Sequence, residues 1–126
     1  MTQGVLKVTV VGAKNLKDED AIGKSDPFVE LWIDHNYKQR TTTKQGTLNP
    51  VWNETFTFNL TSSNHTLHLR VLDDDTVKDD KIGDTKVDLK EVIQHGRVDK
   101  EYKIPALFGL SNHGFVHLIL EHTHHH

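Results

Sequence analysis

The 126-residue sequence has no cysteine, only three prolines and few aromatic side chains, 7% in all. Without cysteine, disulfides and thiolate-held metals are excluded, and the composition is compatible with a reducing, cytosolic compartment. No apolar run approaches the ~20 residues that a membrane-spanning helix needs. No basic-then-apolar leader and no myristoylation or prenylation pattern is seen. The expectation is a cytoplasmic chain whose contact with any membrane is peripheral. A large excess of one charge is missing too: 15 basic against 18 acidic residues give a formal net charge of −3. That balance lacks the basic footprint of a nucleic-acid binder, and aromatics without a basic groove do not support base stacking, so no nucleic-acid partner is expected. The length suits one domain with a real core. His124-His125-His126 reads as the remnant of a purification tag, so residues 1–122 are taken as the domain and 123–126 are left outside the functional reading.

What the sequence does have is acid in two places. Asp73-Asp74-Asp75-Thr76-Val77-Lys78-Asp79-Asp80 holds five carboxylates in eight residues. Like charges this dense disfavour one another's ionised forms unless water, salt or a cation offsets them. An oxygen-only cluster suits a hard cation, and calcium prefers six to eight oxygens on flexible loops. A solvated surface run is the plainer account of such a stretch taken alone. A second acidic loop, Lys17-Asp18-Glu19-Asp20-Ala21-Ile22-Gly23-Lys24-Ser25-Asp26-Pro27, tilts that balance. A hard metal needs oxygens converging from several directions, which two or three loops at one end of a domain can supply.

Between the loops, alternation of apolar and polar residues predicts strands. They run over Gly4–Gly12, Phe28–Ile33, Tyr37–Lys44, Thr55–Leu60, His65–Leu72, Ile82–Leu89, Lys100–Ile104 and Gly114–Glu121, with one or two helical turns at Lys90–Gln94. Eight strands at this spacing point to an antiparallel β-sandwich. Phe28 and Trp32 are read as sandwich residues and Tyr37 as exposed. His68 and His117 are placed on a sheet face rather than in a zinc site. No nucleophile–base pair has triad spacing, so no catalysis is expected.

Four segments together resemble the C2 domain, the calcium-dependent phospholipid-binding module. They are Asn15-Leu16, Asp20-x-x-Gly23-x-Ser25-Asp26-Pro27-Phe28-Val29, Thr47-Leu48-Asn49-Pro50-x-Trp52-Asn53-Glu54, and Val71-Leu72-Asp73-x-Asp75 with Asp80-x-Ile82-Gly83. The likeness runs from about Gly4 to Glu121. It implies an eight-stranded sandwich with calcium loops at one end and Trp52 buried in the core; the short helix read above falls between the sixth and seventh strands. With only three residues before the first strand and a strand at the far end, it resembles the permuted, type II arrangement of small stand-alone C2 proteins.

By position, the resemblance implies Asp20, Asp26, Asp73, Asp75 and Asp80 as ligands of two calcium ions, with backbone carbonyls of Glu19 and Asp74. The spacing from Asp73 to Asp80 is one residue shorter than the family's, which makes Asp79 the alternate to Asp80. Lys38 and Arg40 match positions of a headgroup-binding basic strand, although Glu30 stands where that patch would carry a lysine. At the loop rims, Lys24 and Lys78 offer charge and Ile22 and Val77 offer shallow apolar contact. The implied function is calcium-dependent binding of anionic phospholipid such as phosphatidylserine, with the protein recruited to the membrane surface when calcium rises. Two divalent cations would carry the formal charge from −3 to about +1. The competing reading is a calcium-independent C2 fold that binds other proteins and keeps its acidic loops as solvated surface.

Overall fold

The computed structural model describes residues 3–17, 25–61, 63, 65–75, 78–106 and 112–125. Strands β1 (Gln3–Lys14), β2 (Pro27–Trp32), β3 (Gln39–Arg40), β4 (Val51–Leu60) and β5 (Thr66–Asp73) are followed by β6 (Asp80–Asp88). Helix α1 (Lys90–His95), β7 (Arg97–Pro105) and β8 (Asn112–His125) complete the order. They form two four-stranded antiparallel sheets, β4-β1-β8-β7 and β3-β2-β5-β6. This is the expected sandwich, and the last strand lies beside the first, as the permuted arrangement implies.

Alternation places the core where the sequence puts it. Leu6, Val8 and Val10 of β1, Val116, Leu118 and Leu120 of β8, and Phe58 and Leu60 of β4 face Val29, Leu31, Leu67, Leu69 and Val71 of the other sheet. Trp52 is buried as expected, and its indole Nε1 donates to the Thr42 carbonyl at 2.7 Å, which satisfies the one polar atom the core would otherwise strand. Helix α1 closes one end through Val92 and stops at Gly96, whose φ of 84° suits glycine.

Three expectations are corrected. The third strand is not a ladder over Tyr37–Lys44: only Gln39 and Arg40 pair with β2. Beyond them the segment bonds irregularly, Thr41 N–H to Val29 O and Lys44 N–H to Pro27 O. Phe28 and Trp32 are buried, yet not between the sheets. They alternate with the inward Val29 and Leu31, so they sit on the outer face, roofed by cationic side chains. Arg40 lies 3.6 Å from the Phe28 ring centroid and Lys38 4.5 Å from that of Trp32, with His68 stacked on Trp32 at 5.3 Å. The aliphatic stems of long cations cover apolar surface while their heads stay wet, which is how an outer-face indole becomes buried. Finally, His68 belongs to β5 and His117 to β8, so they lie in different sheets.

Where β6 meets β7, the two sheets approach closely. A Cβ added at Gly83 would fall on the Cγ2 methyl of Ile104, a fully buried side chain with nowhere to go. Gly83→Ala is expected to destabilise the domain by about 1–3 kcal/mol through overpacking, read as a lowered urea midpoint at an unchanged slope.

Candidate functional site

The described ends of the two acid-rich loops, at Asp26 and at Asp73–Asp74, meet at one end of the sandwich, and the strands explain why. Strand β1 runs into the first loop, β2 leaves it, and β5 and β6 flank the third. Pro27 of β2 lies opposite Asp73 of β5. Just beyond that pair, the Asp26 N–H donates to Asp73 Oδ1 at 2.9 Å and the Asp74 N–H donates to the Asp26 carbonyl at 2.9 Å. Two acidic positions 47 residues apart are therefore clasped directly. A third segment closes against them: Gly46 N–H donates to Asp26 Oδ1 at 2.7 Å, and Thr47 N–H to the Ser25 carbonyl at 3.1 Å. Asp73 is 1% exposed. A carboxylate taken out of water needs donors or positive charge around it.

Asp80 opens β6 directly across from Asp73, and a register irregularity produces that pairing. Val71 is opposite Gly83, but Leu72 is opposite Lys81, so β6 carries one extra residue, Ile82. A regular ladder continued from Val71–Gly83 would set Lys81 against Asp73. The bulge replaces it with Asp80. Lys81 turns instead to Asp84, at 3.0 Å, which Arg70 also holds at 2.8 Å. Burial works to raise the Asp84 pKa, but the hydrogen bonds and charges of Arg70 and Lys81 outweigh it and hold the carboxyl below its ordinary value.

The remaining acids point in different directions. Asp79 Oδ1 accepts the Asp75 N–H at 3.3 Å, so its carboxylate turns back into the loop. Asp74 Oδ2 accepts the Thr43 hydroxyl at 2.8 Å, which turns that side chain away from Asp73 and leaves its main chain as the part nearer the clasp. Asp75 and Lys78 are exposed. Among the described residues, no three His, Cys, Asp or Glu side chains converge as a ready metal site. The donor chemistry, all carboxylate and carbonyl oxygen, nevertheless fits a hard cation. Glu19, Asp20, Ile22, Lys24 and Val77 lie outside the described residues.

Arg40 and Lys38 are exposed on the outer face, and Glu30 sits directly across from Arg40 in the β2–β3 ladder. Arg40 Nη2 donates to Thr43 Oγ1 at 3.1 Å, the same hydroxyl that reaches Asp74. Sequence reading misses this bridge between the basic face and the acid end, because Thr43 carries no charge to mark it. It also misses Arg70, which adds a third cation over Trp32, 5.3 Å from its centroid.

On that face, burial and then the charge of Lys86 hold the His68 pKa below its ordinary value. The folded state prefers neutral imidazole, so this stability is complete above the unfolded pKa of about 6.5 and declines as pH falls below it. His122 is shifted the same way, by burial and then His124. Thermal melts from pH 7.5 to 5 should show a falling midpoint, and His68→Phe should remove part of that fall while leaving the His122 share.

The family model described as C2 domain matches residues 4–104. The chain is 37% identical over 109 residues to the calcium-dependent lipid-binding protein of Arabidopsis thaliana, a match over 86% of this chain and 21% of that protein. It therefore spans only about a fifth of that relative's length. The 16 kDa phloem protein 2 of the same plant is 32% identical over 114 residues, with 82% of this chain and 77% of that protein covered. Among solved structures, a C2 domain of plant Extended Synaptotagmin 1 superposes with a TM-score of 0.85 at 27% identity, covering 98% of this chain and 96% of that one.

Proposed function

From the premise that the chain belongs to the C2 domain family, we propose that it binds anionic phospholipid membranes in response to calcium, through the acid end of the sandwich. The observation that carries this reading is the clasp of Asp26 on Asp73, with Asp80 brought across by the bulge in β6. It gathers carboxylates from two distant loops at one end of a rigid frame. A relative that carries calcium-dependent lipid binding in its name supports the same reading.

Asp26, Asp73, Asp75 and Asp80 would hold the cation, with Asp20 from the first loop and main-chain carbonyls at Glu19 and Asp74. Asp79, whose carboxylate is turned to the Asp75 amide, stands as the alternate to Asp80. Calcium, when bound, supplies positive charge and open coordination positions for phosphate or carboxylate oxygens. Without it the same aspartates repel an anionic surface, so the loops themselves act as the switch. Lys24 and Lys78 at the rims then add about 1 kcal/mol each near such a surface. Ile22 and Val77 are too few and too small to anchor deeply, so docking is shallow and sensitive to salt. Lys38 and Arg40 are occupied over Trp32 and Phe28, and Glu30 lies beside Arg40, so this face is a secondary contact.

Asp20 is the first-loop donor that the family resemblance adds to these carboxylates. Phosphatidylserine vesicles should sediment the protein with calcium and not with excess chelator. Asp20→Asn alone should abolish sedimentation as fully as Asp20→Asn combined with Asp75→Asn. Sedimentation that ignores calcium would shift the reading to Lys38 and Arg40. No sedimentation of a folded domain in any condition would leave a calcium-independent protein-binding module as the better account.

A further inference from the structure

Each sheet of an open sandwich has two edge strands, and unguarded edges invite pairing with other chains. Three of the four here are guarded. Strand β3 has only two residues. Strand β7, with Arg97, Asp99, Lys100, Glu101 and Lys103 and a terminal Pro105, is charge-dense, and so is the bulged β6. These last two also pack on each other. Strand β4 is different. It runs for ten residues, Val51–Leu60, with a single charge, Glu54, and that carboxylate is taken by the Thr42 amide and hydroxyl.

The free part of this edge can be located. Gln39 Nε2 donates to the Thr57 carbonyl at 2.9 Å, so that carbonyl points away from β1. By strand alternation Thr55 and Asn59 aim their N–H and C=O groups the same way. Above Thr55, Asn53 at φ 51° breaks the regular strand, and the Thr42–Glu54 contacts cover it. Among the described residues, the regular part of this edge is therefore Thr55–Asn59, with Gln39 capping its central carbonyl. Beside it opens a groove of about 770 Å³ lined by Ile33, Tyr37 and Phe58 among others. The two exposed large hydrophobics among the described residues, Tyr37 at 74% and Val51 at 62%, belong to that groove and to β4 itself.

We propose that this edge pairs antiparallel with the same edge of a second copy, centred on Thr57, so that the two sheets become one. The occupant is argued from charge and register. With the two-fold at Thr57, Thr57 meets Thr57 and Thr55 meets Asn59, all neutral, and threonine pairs can bond across strands. No like charges are opposed. The pairing requires Gln39 to release the Thr57 carbonyl, which makes that side chain the brake on association.

Orientation gives the dimer its use. Strand β4 begins beside Gly12, towards the acid end, and finishes beside Gly4 at the other. An antiparallel pair therefore points its two acid ends in opposite directions. Thr57 lies six residues from Val51 and three from Leu60. At about 3.3 Å per residue, the start of each β4 lies about 10 Å beyond the end of its partner's β4. A dimer of this form can hold two anionic surfaces at once, a consequence that rests on the calcium reading above, whereas the pairing does not.

Five residues a side bury less than the ~1,200 Å² of a stable interface, so association is expected between about 10 μM and 1 mM. Sedimentation equilibrium should show reversible dimers over that range. Thr57→Lys, folded by circular dichroism, should weaken them about tenfold or more by opposing two lysines. An equimolar mixture of T57K and T57E should restore the dimer, and Gln39→Ala should tighten it severalfold. In calcium, wild type should cluster phosphatidylserine vesicles, while T57K binds them without clustering. A wild type that stays monomeric throughout, or dimers indifferent to T57K, would overturn the pairing. So would a monomer that instead binds a synthetic peptide of residues 54–60, which would reassign the edge to extended peptides. If vesicles are not bound at all, the calcium reading fails, and the sedimentation result still decides the pairing.

Discussion

One buried carboxylate accepting one amide organises the acid end: Asp73 receives the N–H of Asp26 where β2 and β5 finish their ladder. Loops rich in aspartate repel each other, and left to themselves they would splay. Here the main chain does the gathering. The Asp26 carbonyl takes the Asp74 amide and the Asp26 side chain takes the Gly46 amide, so three loops are tied by groups whose bonds do not depend on any added charge. The sheets below need to supply only rigidity. That division closes the frame through main-chain groups and leaves the side chains to set its charge.

Most of the architecture is legible in the sequence, because alternation is a direct record of which side of a sheet is dry. Eight strands and the helix occur in the order that period and punctuation give them, and Trp52 is core as its motif implies. What alternation cannot report is what covers the other side. Phe28 and Trp32 look like interior residues because they are large and apolar, whereas Arg40, Lys38, Arg70 and His68 form their roof. The third strand reads too long for a related reason: polar residues in extended backbone look alike whether or not they join a ladder. At the acid end, Asp26 is bonded to Asp73 and Asp80 stands across the ladder from Asp73, yet the three carboxylates do not converge as a ready metal site among the described residues. Asp20 and its neighbours on the first loop lie outside the described residues, so their part in the site rests on the resemblance.

The two charged regions of the molecule are separate but not independent. Arg40 and Asp74 share the hydroxyl of Thr43, one donating to it and the other accepting from it. A shift of the Asp74 carboxylate is thereby felt by a guanidinium on the outer face, through a side chain that has no charge of its own. Arg70, Lys81 and Asp84 form a second network on the same sheet, part-way between. Its partial exposure keeps its energetic weight small, and its role is to fix the direction of Lys81.

The extra residue in β6 has a consequence for how this end of the domain can change over generations. Because the ladder is set from Val71–Gly83 downward, with Ile82 the extra residue, the charge facing Asp73 is decided by strand phase and not by the composition of the turn. Insertions and deletions within 74–79 can drift in length without altering what stands opposite Asp73. A slip that irons the bulge flat would install Lys81 there and reverse the sign of the position, although the set of charged residues would be unchanged. Length changes on one side of Asp80 thus leave the residue opposite Asp73 in place, whereas a phase change on the other side switches its sign.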